Sequence, residues 1–505
     1  MSRMSSDDCS GAADDGPLVP LRRLAAAVPG AELTADTLVG DLAYDSRRAN
    51  LGSLFFALPG RYRDGHDHAA DAVAGGASAV VVERPLDLPV PQLRVPSTRR
   101  ALAAIAAAFY GHPSRRLTVV GVTGTNGKTT TCTVLRHCLD VAGVPAGQVG
   151  TIGARFGTRS LPTSLTTPEA PDLQRALFEM ARAGVSAVAM EASSHGLDQG
   201  RLDGVQFEIG IFTNLSREHL DYHGTMARYW SAKRKLFEPD RCRGALVGVD
   251  DEWGRRMAAE VTVPVLTFGF SPEADVRISA EERGLDGLQI VLRGGGEVVS
   301  LTTRIVGRVN AANVAAAFLA ARQLGVPADR AAAGIAAADP PPGRFEVVGA
   351  GHPLLVVVDY AHTPDALAAL LATARRLADG RVTVVLGARG RRDRGKRPLL
   401  GRASAAADRV ILTTDSPADE PIASIIEAIH RGLREVGHRS VVVEPDRRTA
   451  IEMAVGEAAP GDVVLIVGRG NEQFQHIGEA TVRLDDREAA TEALGAAGTW
   501  DEQCA

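Results

Sequence analysis

Residues 117–131 read Leu-Thr-Val-Val-Gly-Val-Thr-Gly-Thr-Asn-Gly-Lys-Thr-Thr-Thr, an apolar β-type run that breaks into a glycine turn. The chemistry this pattern can do is anion binding. Gly124 and Gly127 let the backbone N–H groups around Thr125 and Asn126 turn toward a phosphate chain. The helix opening at Lys128-Thr129-Thr130 adds the positive end of its dipole. Lys128 can reach β- and γ-phosphates, and the Thr129 hydroxyl can ligate Mg²⁺. The strict G-x-x-x-x-G-K-[ST] spacing is not met, because Val122 stands where its first glycine belongs. A bare Gly-Lys-Thr recurs by chance; the strand before it and the threonine-rich helix start after it point to use of a nucleoside triphosphate.

Two polar clusters downstream could complete such a site. Glu191-Ala-Ser-Ser-His195 follows the apolar run 187–190, and Thr213-Asn-Leu-Ser-Arg-Glu-His219 follows a second apolar run. Both therefore fall at carboxyl ends of expected strands, where open α/β sheets bind ligands. Glu191, His219 and Thr129 could together hold metal ions against the triphosphate. Taken singly, Glu191 or His219 reads equally well as a capping or surface residue.

The elements that must position these residues follow from size and periodicity. A chain of 505 residues is too long for one core and suggests about three domains at ~150 residues each. Residues 1–17 are polar, acidic and small, which predicts a disordered tail rather than a signal peptide. Residues 18–114 hold short β-type runs at 53–58 and 77–83 and an alanine-rich helix at 98–110. Gly111-His-Pro-Ser114 marks a boundary. From 115 to 342 strands and helices alternate, with a small antiparallel excursion expected around Gly294-Gly-Gly296, and Asp339-Pro-Pro-Pro-Gly343 marks a second boundary. From 343 to 505, apolar runs at 354–359, 382–387, 410–414, 440–444 and 463–468 predict a doubly wound, Rossmann-like domain. The fold class is α/β: three domains, the central one a parallel-sheet ATPase built around the phosphate loop.

Composition excludes several roles. Hydrophobic residues at 45% and charged residues at 23% are ordinary for a globular protein, and the net charge of −5 offers no basic surface for nucleic acid. No stretch approaches the ~18 consecutive apolar residues of a membrane span. The five cysteines, Cys9, Cys132, Cys138, Cys242 and Cys504, form no C-x-x-C pair and fit a reducing cytoplasm.

Taken together, Gly124-Thr-Asn-Gly-Lys-Thr-Thr130, Thr166-Thr-Pro, Glu191-Ala-Ser-Ser-His-Gly-Leu197 and Asn214-Leu-Ser-Arg-Glu-His-Leu-Asp-Tyr-His-Gly224 resemble the ATP-dependent Mur ligases. The nearest branch is the one that adds the third residue of the peptidoglycan stem, and the likeness runs from Asp45-Ser46-Arg47 to Asp485-Asp486-Arg487-Glu488. The resemblance implies an amide ligase that joins a free amino acid to UDP-N-acetylmuramoyl-L-alanyl-D-glutamate through an acyl phosphate. It would use ATP and Mg²⁺ in the cytoplasm, as a monomer, and serve wall synthesis and thereby cell shape and division. Lys128 would stabilise the transferring phosphoryl group. Thr129 would serve one Mg²⁺, and Glu191 with His219 a second. Lys233 matches the family's carbamylated lysine, a further metal support; on its own it reads as a solvated helix lysine. Asn310 would contact adenine, Arg344 phosphate, Asp359 the ribose hydroxyls, and His362 would lie by the base. The UDP-sugar peptide would be met by Ser46, Thr166, Thr167, Ser193 and Arg201, with Asp64-Gly-His66-Asp67 on the uridine side. Without the resemblance, Ser46 and Thr166 are plain turn residues.

The acceptor region departs from the family. Members that add meso-diaminopimelate carry Asp-Asn-Pro-Arg, whose arginine binds the acceptor's distal carboxylate; this chain has Asp415-Ser416-Pro417-Ala418. Alanine cannot form the bidentate guanidinium–carboxylate pair, so L-lysine is favoured as acceptor over meso-diaminopimelate. Gly-Lys-Gly-His-Glu becomes Gly468-Arg469-Gly470-Asn471-Glu472, with Glu472 kept to bind an amine. Gly-Cys-Gly-Gly-Asp-Arg-Asp becomes Gly387-Ala-Arg389-Gly-Arg391-Arg392-Asp393, ahead of an intact Gly395-Lys396-Arg397-Pro398. Arg389 and Arg391 either supply a carboxylate clamp from another direction or stand in solvent. A related ligase that couples a different amino acid or amine outside wall synthesis stays open. An N-terminal Asp-Ser-Arg module argues against a folylpolyglutamate synthetase, and an intact Lys128, Glu191, His219 and Lys233 against a mere nucleotide switch.

Overall fold

The computed structural model describes residues 16–60 and 63–496. The first fifteen residues of the expected tail, together with Cys9 and Cys504, lie outside the described residues. Two compact units emerge: the described residues up to Arg116 with Glu169–Glu179 and Gln199–Val205, and the remainder.

In the first unit, five strands order as Glu32–Leu33, Gln92–Arg94, Ala79–Val82, Ser53–Phe56 and Asp41–Ala43, parallel except where Glu32–Leu33 joins antiparallel. Leu54, Phe56, Val81 and Leu93 turn one face toward the alanine-rich helix Thr98–Phe109, whose small side chains let it lie close. Ser97 starts that helix by accepting from the Arg100 N–H.

The second unit carries two large sheets. An eleven-stranded sheet has seven parallel strands at its centre, in the order Ala146–Gly150, Ala187–Glu191, Thr118–Thr123, Phe207–Phe212, Cys242–Gly248, Val265–Gly269 and Val276–Glu282. Thr118–Thr123 sits between Ala187–Glu191 and Phe207–Phe212, so the phosphate loop and both downstream polar clusters leave the sheet side by side. The antiparallel excursion expected near Gly294 is the pair Leu288–Gly294 and Glu297–Thr303, which extends one edge of this sheet. The helices Lys128–Val141 and Asn310–Gln323 pack on one face through Val134, Leu135, Val314 and Phe318.

The last sheet has six strands, in the order Glu346–Val348, Leu355–Asp359, Val463–Val467, Val382–Leu386, Arg409–Leu412 and Val441–Val443. The five apolar runs read from sequence form its parallel part. Glu346–Val348, too short to read as a strand, pairs antiparallel at the edge. Helices cover both faces, which leaves nearly every residue of Val463–Val467 buried. Among the described residues no helix is long and apolar enough to cross a membrane.

Candidate active site

The phosphate loop is held in shape by its neighbour strand. Thr213 Oγ1 donates to the Asn126 carbonyl at 2.6 Å, and the Asn126 N–H donates to Asn214 Oδ1 at 3.0 Å. Gly124 adopts φ +149 and Gly127 φ +90. A Cβ at Gly127 would lie 2.1 Å from Asn313 Oδ1, so glycine is required there by both conformation and space. Asn313 in turn donates to Asn310 Oδ1 at 2.9 Å, and Asn310 Nδ2 holds the Val306 carbonyl at 2.7 Å. Asn310 therefore braces the loop's underside through Asn313. Thr130 is buried on the first turn of the helix that follows.

Two lysines, Lys233 buried and Lys128 half-buried, converge on one carbonyl. Lys128 Nζ donates to the Gly124 and Thr125 carbonyls at 2.9 and 2.8 Å, and Lys233 Nζ donates to the same Gly124 carbonyl at 2.8 Å. Lys233 is buried rather than solvated, with its ammonium 4.6 Å from the Tyr229 ring centroid. Burial pushes both lysines below the ordinary ammonium range, and the Lys128 charge pushes Lys233 further. A lysine so depressed holds more neutral amine, the form that reacts with CO₂ to give a carbamate.

Glu191 ends its strand fully buried. Its carboxylate accepts from Thr129 Oγ1 at 3.1 Å and from the Thr151 N–H and Oγ1 at 2.9 and 3.1 Å. Gly150 is obligatory beside it, since a Cβ there would sit 2.2 Å from Glu191 Oε1. Thr167 Oγ1 donates to the Glu191 carbonyl at 2.7 Å and accepts from the Ser193 N–H at 2.9 Å, while Thr166 and Thr151 share a hydroxyl contact at 3.2 Å. Thus Thr166, Thr167 and Ser193 gather around Glu191. Thr129 and Glu191 present hard oxygen donors side by side, the donor type Mg²⁺ takes alongside phosphate oxygens.

His219 adopts a left-handed φ of +56 and lies 4.6 Å, ring to ring, from His195. Its buried Nδ1 accepts or donates no hydrogen bond, and desolvation holds its pKa well below the ordinary histidine range. A neutral imidazole with an uncommitted nitrogen is a competent metal ligand. His223, next in the same motif, contacts Ser194 Oγ at 3.0 Å, and burial lowers it to about 4.

The C-terminal module contributes directly. Arg344 stacks 4.2 Å over the Tyr360 ring and reaches Thr129 Oγ1 at 3.4 Å. His362 contacts the Tyr360 carbonyl at 2.8 Å through Nδ1, and Asn126 Nδ2 meets Thr363 Oγ1 at 3.4 Å. The Asp359 oxygens receive the Phe345 and Ala361 N–H groups at 2.7 and 2.6 Å, so its first task is to fix the local backbone. Two ion pairs unread in the sequence join the modules. Lys396 Nζ meets both Glu218 oxygens at 2.9 and 2.8 Å, and Arg217 meets Asp393 at 3.0 and 3.2 Å.

Beyond them lies a charged cluster. Arg389 pairs with Glu472 and stands 3.9 Å from Asp415 Oδ1, while the fully buried Arg469 reaches that same oxygen at 3.7 Å. Arg469 Nη1 donates to Ser416 Oγ at 3.3 Å. Gly468 at φ +107 leaves room for the Asp415 carboxylate. Arg391 is not part of this cluster: its exposed side chain pairs with Asp419 at the surface. Ala418 takes a left-handed φ of +53 and is fastened by its N–H to the His476 carbonyl at 3.0 Å.

In the first unit Ser46 opens a short 3₁₀ turn capped by Asp45. The nine-tenths-buried Arg201 pairs with Glu169 at 3.1 Å, and Glu169 also holds Arg99 at 2.6 Å. His66 is buried against Asp64 at 2.7 Å. Sequence reading missed Thr151, Asn313 and the Arg217 and Glu218 pairs. Only Asn313 carried a signal, three residues beyond Asn310 on one helix face.

A phosphate loop, a buried carboxylate beside its threonine and a carboxyl-terminal module bearing a cluster of paired charges are the parts a nucleotide-dependent ligase site would need. Residues 122–321 match the Mur ligase middle domain, 343–470 the Mur ligase glutamate ligase domain, and 40–110 the Mur ligase family catalytic domain. The UDP-N-acetylmuramoyl-L-alanyl-D-glutamate–2,6-diaminopimelate ligase of Solibacter usitatus is 43% identical, with 92% of this chain and 95% of the relative covered. The ligase of the same description from Streptomyces coelicolor is 41% identical, with 94% and 96% covered. A solved structure of a 2,6-diaminopimelate ligase aligns with TM-score 0.62 at 32% identity, over 91% of this chain and 95% of that one. MurF from Thermotoga maritima in complex with ADP shares the fold at TM-score 0.64 and 19% identity, over 90% and 96%. The chain belongs to the Mur ligase family. It is an ATP-dependent ligase.

Proposed function

We propose that this ligase joins the third amino acid to UDP-N-acetylmuramoyl-L-alanyl-D-glutamate in peptidoglycan precursor synthesis, as a cytoplasmic monomer. The observation that carries the proposal is the convergence of Lys128, Lys233 and the Thr129–Glu191 pair at one phosphate loop, in a unit whose C-terminal module holds its own cluster of paired charges. Relatives over more than nine-tenths of the chain are named for this reaction with 2,6-diaminopimelate.

In the reaction, a carboxylate oxygen of the D-glutamyl residue attacks the γ-phosphorus, and ADP leaves. The amine of the incoming amino acid then attacks the acyl phosphate carbonyl, inorganic phosphate leaves, and the amine sheds a proton. Lys128 neutralises charge on the transferring phosphoryl group. Thr129, Glu191, His219 and a carbamylated Lys233 would hold Mg²⁺, which supplies further positive charge where two anions must meet. Asn310 and His362 bound the adenosine side, and Arg344 faces phosphate. The family resemblance assigns Thr166, Thr167 and Ser193 of the second unit, and Ser46 and Arg201 of the first, to the UDP-sugar peptide. Asp415, Ser416, Gly468, Glu472 and Arg389 form the acceptor site. Position 418 by itself favours L-lysine, because Ala418 has no guanidinium for a distal carboxylate.

The test is ADP release with ATP, Mg²⁺ and UDP-N-acetylmuramoyl-L-alanyl-D-glutamate, screening lysine, meso-diaminopimelate and other amino acids. Release that requires both the UDP-precursor and an amino acid, matched by amide formed, is expected. Silence with every acceptor would sink the proposal in favour of a ligase working on a different amine.

A further inference from the structure

Position 418 lacks a charge that the acceptor site would use, but Arg389 brings one. Arg389 stands where the family motif has its second glycine, and its guanidinium lies on the Glu472 carboxylate. From the opposite side Arg469 reaches Asp415, while Arg447 satisfies Asp486 with bonds of 2.8 and 2.7 Å. Within this cluster the two guanidinium groups of Arg389 and Arg469 thus face the two carboxylates of Glu472 and Asp415, a net charge of zero. Asp415 and Arg469 are inaccessible, but the Arg389 and Glu472 side chains are 33% and 26% exposed. Asp415 Oδ1, buried, accepts no hydrogen bond.

We propose that Arg389 is a specificity-determining residue for the acceptor: it makes the subsite electroneutral and selects a side chain ending in both an ammonium and a carboxylate over one ending in a bare ammonium. The inference rests on the ligase reading above and deepens it. A zwitterionic end enters the accessible Arg389–Glu472 pair by exchange of partners. Its carboxylate takes the guanidinium, its ammonium takes Glu472, and every charge keeps an opposite neighbour. A lysine ammonium on Glu472 displaces Arg389, and a guanidinium cannot shed its charge by losing a proton. A side chain with a lone carboxylate strands Glu472 in the same way. The guanidinium absent at position 418 is supplied from position 389, so meso-diaminopimelate fits this site better than lysine does. Specificity here comes from the penalty on the wrong charge as much as from attraction to the right one.

The experiment compares kcat/KM for meso-diaminopimelate and lysine in the wild type, Arg389→Gly and Arg389→Lys, at saturating ATP and UDP-precursor. The wild type should favour meso-diaminopimelate by about tenfold or more. Arg389→Gly should lose about tenfold or more on that acceptor, chiefly in KM, a partly exposed charge pair being lost. Its lysine kcat/KM should hold or rise, its KM for ATP should stay unchanged, and Arg389→Lys should recover part of the loss. If Arg389→Gly does not fold, Arg389→Lys carries the same comparison. A wild type that prefers lysine, or an acceptor ratio unmoved by either substitution, overturns this inference and leaves the ligase intact. Silence of the wild type with both acceptors overturns the ligase reading and this inference together.

Discussion

Buried histidines give the site a pH dependence whose sign can be worked out residue by residue. His223 is lowered by burial to about 4 from an ordinary 6.5, and His219 and His362 are lowered in the same direction for the same reason. Between those values the unfolded chain binds protons that the folded chain does not, so stability rises with pH through this window and is lost as pH falls from 6.5 toward 4. Glu218 and Asp359, pushed up by burial, contribute with the opposite sign. The difference between wild type and His223→Gln therefore isolates the one group. Thermal unfolding should show a smaller drop in Tm from pH 7 to pH 5 in His223→Gln than in the wild type; equal drops would refute the assignment. Of the residues themselves, Lys128, Thr129 and Glu191 were marked in the sequence by the loop motif and a strand end, whereas Lys233 was singled out only by the family resemblance, since a lone helix lysine reads as solvated. Thr151 was not, since a lone threonine in a loop carries no sign of the carboxylate it will meet after folding.

At the scale of elements, the parallel strands were legible because burial on both faces writes them as unbroken apolar runs such as Val463–Val467. Glu346–Val348 was hidden because an edge strand of three residues, two of them only half-buried, needs no such run. The phosphate loop shows how two elements fix a third. Gly127 at φ +90 lies against Asn313 from the helix Asn310–Gln323, so the loop's curvature depends on that helix's register. Gly127→Ala meets two obstacles, the left-handed conformation and the Asn313 side chain. Conformational strain alone is worth about 1 to 3 kcal/mol. Nucleotide binding measured by titration should weaken about tenfold or more. Pairing the change with Asn313→Gly should restore only part, since removing the clash leaves the backbone strain. Full restoration would mean that space alone matters; no weakening would mean that the loop adapts freely.

Across the second unit, the central and C-terminal modules are joined where chemistry requires them to meet. Arg217-Glu218, immediately before the candidate ligand His219, pair with Asp393 and Lys396 from the loop that also carries Arg389. A phosphate-side motif and an acceptor-side motif are thus tied by adjacent residues, and movement of one loop is felt by the other. The motifs around Glu218 and Lys396 were legible in the sequence but not their pairing, because no spacing rule connects positions 178 residues apart. The Glu218 and Lys396 side chains are 5% and 7% exposed, so neither charge has water to fall back on. Lys396→Met should therefore destabilise by about 3 to 5 kcal/mol, as should Glu218→Gln to a lesser degree, because the amide is neutral. The double variant should be less destabilised than the sum of the singles, and urea unfolding of the four proteins gives the coupling directly. Strict additivity would show that the pair does not hold the modules in solution. Coupling that vanishes in stability but persists in the KM for the acceptor would place the link in the working cycle alone. A coupling seen in both would make the pair a structural tie through which nucleotide and acceptor sites share one equilibrium.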